Sequence, residues 1–149
     1  MAANRLVKIL VLVLVFAGGF ALGGAFQPWG VVNAQAGKRV FELRTYTSPE
    51  GKLGELQARF RNHTVKLFEK HGITNIGYFV PQDAPLSQNT LIYVLAHKDR
   101  ESAKQNWAAF QKDPEWRAAL TESHKNGSLT TQGGVVSVFM DPTDFSQLK

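Results

Sequence analysis

The 149-residue sequence contains no cysteine, which excludes disulfide bonds, thiolate metal sites and a cysteine nucleophile. It also excludes attachment to a membrane through a lipid-modified cysteine. Runs of basic residues are absent as well, because the 17 Lys and Arg residues are scattered along the chain. We therefore expect no nucleic-acid binding, although the formal net charge is +5.

Several catalytic motifs are also missing from the sequence. It has no serine-nucleophile elbow, no phosphate-binding glycine loop and no dinucleotide-binding fingerprint. The four histidines show no H-x-x-x-H spacing, and the sequence has no cluster of carboxylates, so we expect no metal site. No single motif in this sequence identifies a reaction.

Residues 1–36 have the composition of an export segment. Arg5 and Lys8 precede the uncharged stretch 9–26, and the segment ends in Ala-Gln-Ala, which matches a signal-peptidase site. The alternative is an uncleaved membrane anchor, because residues 9–26 are just long enough to cross a bilayer as a helix. Both interpretations place residues 37–149 outside the cytoplasm, either periplasmic or secreted, or held at the membrane by residues 9–26.

Hydrophobic periodicity predicts a folded domain over residues 37–149. The predicted strands are residues 39–47, 73–80, 91–97 and 135–140. The predicted helices are residues 52–71, 99–112 and 113–123, the last with Asp113 as its N-cap and Pro114 at its first position. The order β-α-β-β-α-β indicates an α+β, ferredoxin-like antiparallel sheet with the helices on one face.

The first predicted strand has a polar and an apolar face. Alternation places Glu42, Arg44 and Tyr46 on one face and Phe41 and Leu43 on the other. We expect the apolar pair to face the helices and the polar set to lie on the open side of the sheet. A second copy of the chain would cover that open side and satisfy the Glu–Arg pair. The alternative is a solvated edge strand.

Five short segments, taken in order, carry a family resemblance. They are F-E-L-R-T-Y at 41–46, R-F-R-N-H at 59–63, E-K-H-G at 69–72, G-Y at 77–78 and F-Q-K-D-P-E-W at 110–116. Together they resemble the NIPSNAP family. The resemblance implies a ferredoxin-like domain that dimerises into an α/β barrel. It also implies kinship with a superfamily that holds cofactor-independent monooxygenases and haem-degrading enzymes.

His63 is the candidate catalytic residue, because it falls on the predicted apolar stripe of the first helix with Phe60 and Leu67. We expect it to point into a cavity between the helices and the sheet. There it would orient a ligand, act as a base or bind haem iron. The alternative is a core histidine that is hydrogen-bonded to a neighbouring element.

Aromatic residues supply the candidate ligand-binding groups. Trp107 and Trp116 recur at helical spacing with Phe110, which is typical of core packing and also of an aromatic pocket. Tyr46 and Tyr78 come from different strands and would add hydroxyl groups to such a pocket, or would be half-buried sheet residues.

These observations together predict an exported homodimer that binds a small apolar or aromatic molecule, with no cofactor. Membrane contact is expected only through residues 1–36, and only if they are not cleaved. One alternative is a cofactor-independent monooxygenase, in which the substrate itself activates oxygen. The other is a non-catalytic scaffold in the periplasm or at the membrane surface. Haem bound by His63 is a further variant of the ligand-binding hypothesis.

Overall fold

The computed structural model describes residues 39–149. The predicted export segment, residues 1–36, lies outside the described residues. Within residues 39–149, no helix combines the length and the apolar composition needed to span a bilayer.

Residues 39–149 form one antiparallel sheet with helices packed on it. The strands are β1 (Val40–Thr47), β2 (Thr74–Phe79), β3 (Thr90–His97) and β4 (Val135–Met140). The α-helices are α1 (Leu53–Arg59), α2 (Val65–Lys70), α3 (Leu86–Asn89), α4 (Arg100–Lys112) and α5 (Pro114–Ser123). A π-helical segment, Phe60–Thr64, joins α1 to α2. The predicted β-α-β-β-α-β order is confirmed, with the short helix α3 added in the loop before β3.

The strand order β2-β3-β1-β4 is that of a ferredoxin-like sheet. β1 lies in the interior of the sheet and pairs antiparallel with β3 on one side and with β4 on the other. Glu42 is opposite Leu95 of β3 and Phe139 of β4. A polar side chain on this strand therefore has neighbours on both sides.

The two faces of β1 are the reverse of what the sequence led us to expect. Glu42 bonds to Trp107 of α4, and the Tyr46 ring meets the Phe60 ring at a centroid distance of 5.8 Å. Glu42, Arg44 and Tyr46 therefore face the helices, and by alternation Phe41 and Leu43 lie on the outer face. The prediction that Glu42 and Arg44 form a polar patch on the open side is wrong. They can face inwards because four donors meet the carboxylate there.

The core lies between the inner face of the sheet and the helices, and aromatic rings dominate it. The Tyr93 ring meets the Phe60 ring at 5.1 Å, and the Phe68 ring meets the Phe110 ring at 4.8 Å. Trp107 and Trp116 pack against this cluster and are partly buried. Both tryptophans therefore contribute to the core, whether or not they also contact a ligand.

The π-helical segment changes which residues of the first helical region are buried. A π-helical turn contains more residues than an α-helical turn, so the buried stripe moves along by one position. Thr64 is buried here, and its hydroxyl donates to the carbonyl oxygen of Arg59 at 3.3 Å. His63 is consequently exposed.

Candidate functional site

A buried carboxylate, that of Glu42, organises the inner side of β1. Glu42 is 1% exposed, and donors from two other strands and one helix converge on it along with its neighbour Arg44. Oε1 accepts from Arg44 Nη1 at 2.7 Å and Ser137 Oγ at 2.6 Å, and Oε2 accepts from His97 Nε2 at 2.9 Å and Trp107 Nε1 at 2.8 Å. All four bonds go to one charged group, so this network ties β1, β3, β4 and α4 together.

The protonation state of Glu42 follows from these contacts. Burial alone raises its pKa, but the hydrogen bonds from His97, Ser137, Trp107 and Arg44 together outweigh burial and lower the pKa to about 2. Glu42 is therefore an anion near neutral pH, and the Nε2 atom of His97 carries the proton that it donates. A carboxylate with so low a pKa is a poor general base, so Glu42 acts by positioning its partners.

Arg44 is held in place by three neighbours. It donates to Glu42, its Nη2 donates to the Tyr46 hydroxyl at 3.3 Å, and its guanidinium lies 4.4 Å from the centre of the Trp107 ring. Burial lowers the pKa of Arg44, while the phenols of Tyr93 and Tyr46 and the Glu42 carboxylate raise it, and the net direction is upward. Arg44 is therefore a permanent cation.

An open groove runs above this network, between α4 and the β1–β4 side of the sheet, and we call it the α4 groove. Its volume is about 600 Å³, within the range of small-molecule sites. Arg100 and Lys104 of α4 line it, and the Arg100 guanidinium lies 3.5 Å from the centre of the Phe139 ring. The groove thus combines the cations Arg44, Arg100 and Lys104 with the rings of Trp107 and Phe139. Its carboxylates are Glu42, which is buried and paired with Arg44, and Glu101, which is exposed.

The structure brings together four of the seven predicted site residues. Glu42, Arg44, Tyr46 and Trp107 lie together, joined by the contacts described above. Tyr78, Trp116 and His63 lie elsewhere.

Tyr78 belongs to a different part of the inner face. Its ring stacks on Tyr93 at 5.4 Å, and its hydroxyl bonds to the Asn75 side chain. Burial raises the pKa of Tyr78 well above the ordinary value, with smaller contributions from Glu69 and Tyr46. Tyr78 is thus a neutral phenol that lines a separate cavity of about 230 Å³ beside Phe60.

Trp116 and His63 lie on the side of the molecule where α1 meets α5. The Trp116 ring packs on Phe110 at 4.5 Å. His63 does not point into the space between the helices and the sheet, because the π-helical segment turns it outwards. It lines a smaller surface groove with Arg59.

Two members of the network carry no obvious sequence signal. His97 is fully buried at the end of β3, on the same face as Tyr93 and Leu95. Ser137 is the one polar residue of an otherwise apolar strand, β4. The sequence offered one weak signal for His97: it follows Tyr93 and Leu95 at two-residue spacing, which places all three side chains on the same face of the strand.

The potential metal ligands among residues 39–149 are not grouped into a metal site. Within residues 39–149, no three His, Asp or Glu side chains lie close enough to hold a metal ion together. His97 contacts a single carboxylate, and its Nδ1 atom is buried without a hydrogen-bond partner.

The fold and the site together define the structural class of this protein. A four-stranded antiparallel sheet in the order β2-β3-β1-β4, with helices on one face and a charged network beneath them, is an α+β domain of the ferredoxin-like type. The profile of the NIPSNAP family matches residues 41–147, and the chain belongs to this family. The resemblance of the five sequence segments is thereby confirmed.

Solved structures of other NIPSNAP proteins share this fold. A NIPSNAP family protein of unknown function from Agrobacterium tumefaciens superposes with a TM-score of 0.65 at 20% identity, over 76% of this chain and 96% of that one. A second protein of the family from the same organism gives 0.64 at 23% identity, over 74% and 99%. A NIPSNAP-like domain protein from Burkholderia xenovorans gives 0.63 at 20% identity, over 74% and 90%. No curated protein matches this chain.

Proposed function

We propose that this NIPSNAP protein binds a small organic anion with an aromatic or conjugated body in the α4 groove, as a homodimer. The observation that supports binding most directly is the Glu42 network. It holds Arg44 and Trp107 in fixed positions at the floor of the groove before any ligand arrives. Groups that are already ordered lose little conformational entropy on binding, so more of their interaction energy appears as affinity.

The ligand class follows from the side chains that line the α4 groove. A guanidinium presents paired N–H groups that suit a carboxylate, and Arg100 offers one. Arg44, whose Nη atoms already donate to Glu42 and Tyr46, adds a second guanidinium at the floor. Trp107 and Phe139 offer flat apolar surfaces beside these charges. A planar carboxylate satisfies both features, whereas a cationic or a fully apolar molecule satisfies only one of them.

Arg100→Gln is expected to weaken binding of an aromatic carboxylate by about tenfold, because it removes one charge-assisted pair. The measurement is a titration of 2-naphthoate into the full chain, followed by tryptophan fluorescence. Lys112→Gln is the matched control, since Lys112 is exposed at the end of the same helix and lies outside the groove. No saturable quenching in the wild type, or equal weakening by both variants, would contradict the proposed site.

The dimer is proposed from the outer face of the sheet, which the described helices leave open. Val136 and Val138 lie on this face and are 52% and 49% exposed, and Leu43 and Val94 lie between them and β2. Contiguous exposed apolar surface of this kind is typical of an interface. A second copy of the same face, related by a two-fold axis, is complementary to it because both are apolar.

Val138→Lys is expected to convert the dimer to a monomer, because it places a charge on the apolar outer face that forms the proposed interface. Val135→Lys is the control on the same strand, since Val135 is 43% exposed but points to the opposite face. Sedimentation velocity of both variants distinguishes the two effects. A wild-type chain that is monomeric at high concentration would remove the dimer from the proposal.

We also propose that the protein acts outside the cytoplasm, as a periplasmic or secreted protein or anchored at the membrane surface. The support is the charged start, the apolar stretch 9–26 and the small residues that end at Ala36. The intact mass of the protein recovered from cells tests whether residues 1–36 are removed.

A further inference from the structure

Arg59 is a buried cation that no carboxylate among residues 39–149 neutralises. It is 6% exposed at the end of α1, and its Nη1 atom lies 3.3 Å from both Ser123 Oγ and His124 Nε2. Its guanidinium lies 5.3 Å from the centre of the Trp116 ring. Its Nε atom is buried without a hydrogen-bond partner. A buried charge in neutral surroundings is costly, so the arrangement is incomplete without an anion.

A surface groove opens beside this guanidinium, and we call it the Arg59 groove. Its volume is about 220 Å³. Asn62 and His63 of the π-helical segment line it on one side, and Ser123 of α5 lines it on the other. This space is below the range of drug-sized ligands and suits a small ion with one or two waters. It shares no lining residue with the α4 groove.

The charges around the Arg59 groove favour an anion. Glu55 and Glu122 also line it, but Lys52 pairs with Glu55 at 2.8 Å and Lys125 pairs with Glu122 at 2.6 Å. These two carboxylates are exposed and offset by lysines, whereas Arg59 is buried and not offset. Burial lowers the pKa of His124, and the nearby Arg59 charge lowers it further.

We propose that the Arg59 groove binds a small oxyanion, either a phosphate group or a carboxylate. Its oxygens accept from the Arg59 guanidinium and from the side chains of Asn62 and His63. The π-helical segment matters here because it turns His63 out of the core and into the groove. This assignment does not depend on ligand binding in the α4 groove.

The test is a titration of the full chain with inorganic phosphate and, separately, with sodium acetate, at ionic strength held constant with sodium chloride. NMR of the imidazole signals reports on His124, which contacts Arg59, and on His63, which lines the groove with it. We expect a saturable shift of both signals. Arg59→Gln is expected to reduce the affinity at least about tenfold, since it removes a charge-assisted pair. Arg61→Gln makes the same charge change on an exposed residue outside the groove and is expected to leave the affinity within about twofold.

The outcomes separate the two ligand sources and the competing explanation. Tighter binding of phosphate indicates a phosphate-bearing ligand, and equal or tighter binding of acetate indicates a carboxylate. Should Arg59→Gln fail to fold, the double variant of Asn62→Ala and His63→Ala changes only exposed groups of the groove and is expected to weaken binding severalfold. No saturable shift with either anion in the wild type overturns the proposal. Equal losses in Arg59→Gln and Arg61→Gln also overturn it, because they would indicate non-specific attraction.

Discussion

Replacing Glu42 with alanine is expected to lower the free energy of unfolding by about 3–5 kcal/mol, the range for breaking a buried ion pair. The change leaves Arg44 as a half-buried cation without its anion and removes the acceptor from His97, Trp107 and Ser137 at once. Each buried donor left without a partner costs about 1–3 kcal/mol, and water that enters the open groove recovers part of this cost. A domain of this size is stable by about 5–15 kcal/mol, so the variant is expected to be marginal.

Urea unfolding at pH 7 measures this effect, with Glu50→Ala as the control. Glu50 is an exposed residue of the turn after β1, and its replacement is expected to change stability by less than about 0.5 kcal/mol. If Glu42→Ala behaves like Glu50→Ala, the carboxylate is not the centre of the network. The same variant is expected to lose 2-naphthoate binding, since Arg44 and Trp107 are no longer held at the floor of the α4 groove.

The elements of this fold were predictable where local chemistry decides them. The last strand, residues 135–140, agrees with β4 at both ends, because a β-branched run follows two glycines. The start of α5 was also predictable, since Asp113 accepts from the backbone N–H of Glu115 at 2.7 Å and Pro114 takes the first position. Both signals lie within a few residues of the boundary that they define.

The inward face of β1 was not predictable in the same way. Alternation shows that a strand has two faces, but it does not show which of them is buried. The partners that make the interior favourable for Glu42 are His97, Trp107 and Ser137, which lie 55, 65 and 95 residues away along the chain. A Glu and an Arg without known partners were therefore assigned to the surface, where charged groups usually lie.

The prediction that His63 points into the core was wrong for a different reason. The prediction assumed 3.6 residues per turn throughout the first helical region, and the π-helical segment breaks that period. Periodicity alone gives no sign of such a segment, because the stripe Leu53, Leu56, Phe60 continues correctly up to the point where it begins. Arg59 was missed for a related reason, since a basic residue beside a predicted apolar stripe is usually solvated.

Acid is expected to remove much of the stability that Glu42 provides. A pKa of about 2 in the folded state, against an ordinary value of 4.5, corresponds to about 3 kcal/mol at 1.36 kcal/mol per pH unit. Because the folded-state pKa is the lower of the two, this stability is fully present above about pH 5. It is lost progressively as the pH falls towards 2, where the folded carboxylate also takes up a proton.

Glu42→Gln isolates this effect from the other carboxylates. Asp113 contributes in the same direction, since hydrogen bonds from Lys70 and His71 lower its pKa, but it is present in both proteins. Wild type and Glu42→Gln are therefore expected to differ by about 3 kcal/mol in urea unfolding at pH 7, and the difference is expected to close near pH 2. A difference that stays constant across this range would mean that the amide fails because its NH2 group faces hydrogen-bond donors, and not because the charge is lost. In that case the charge on Glu42 is not what holds Arg44 and Trp107 at the floor of the α4 groove.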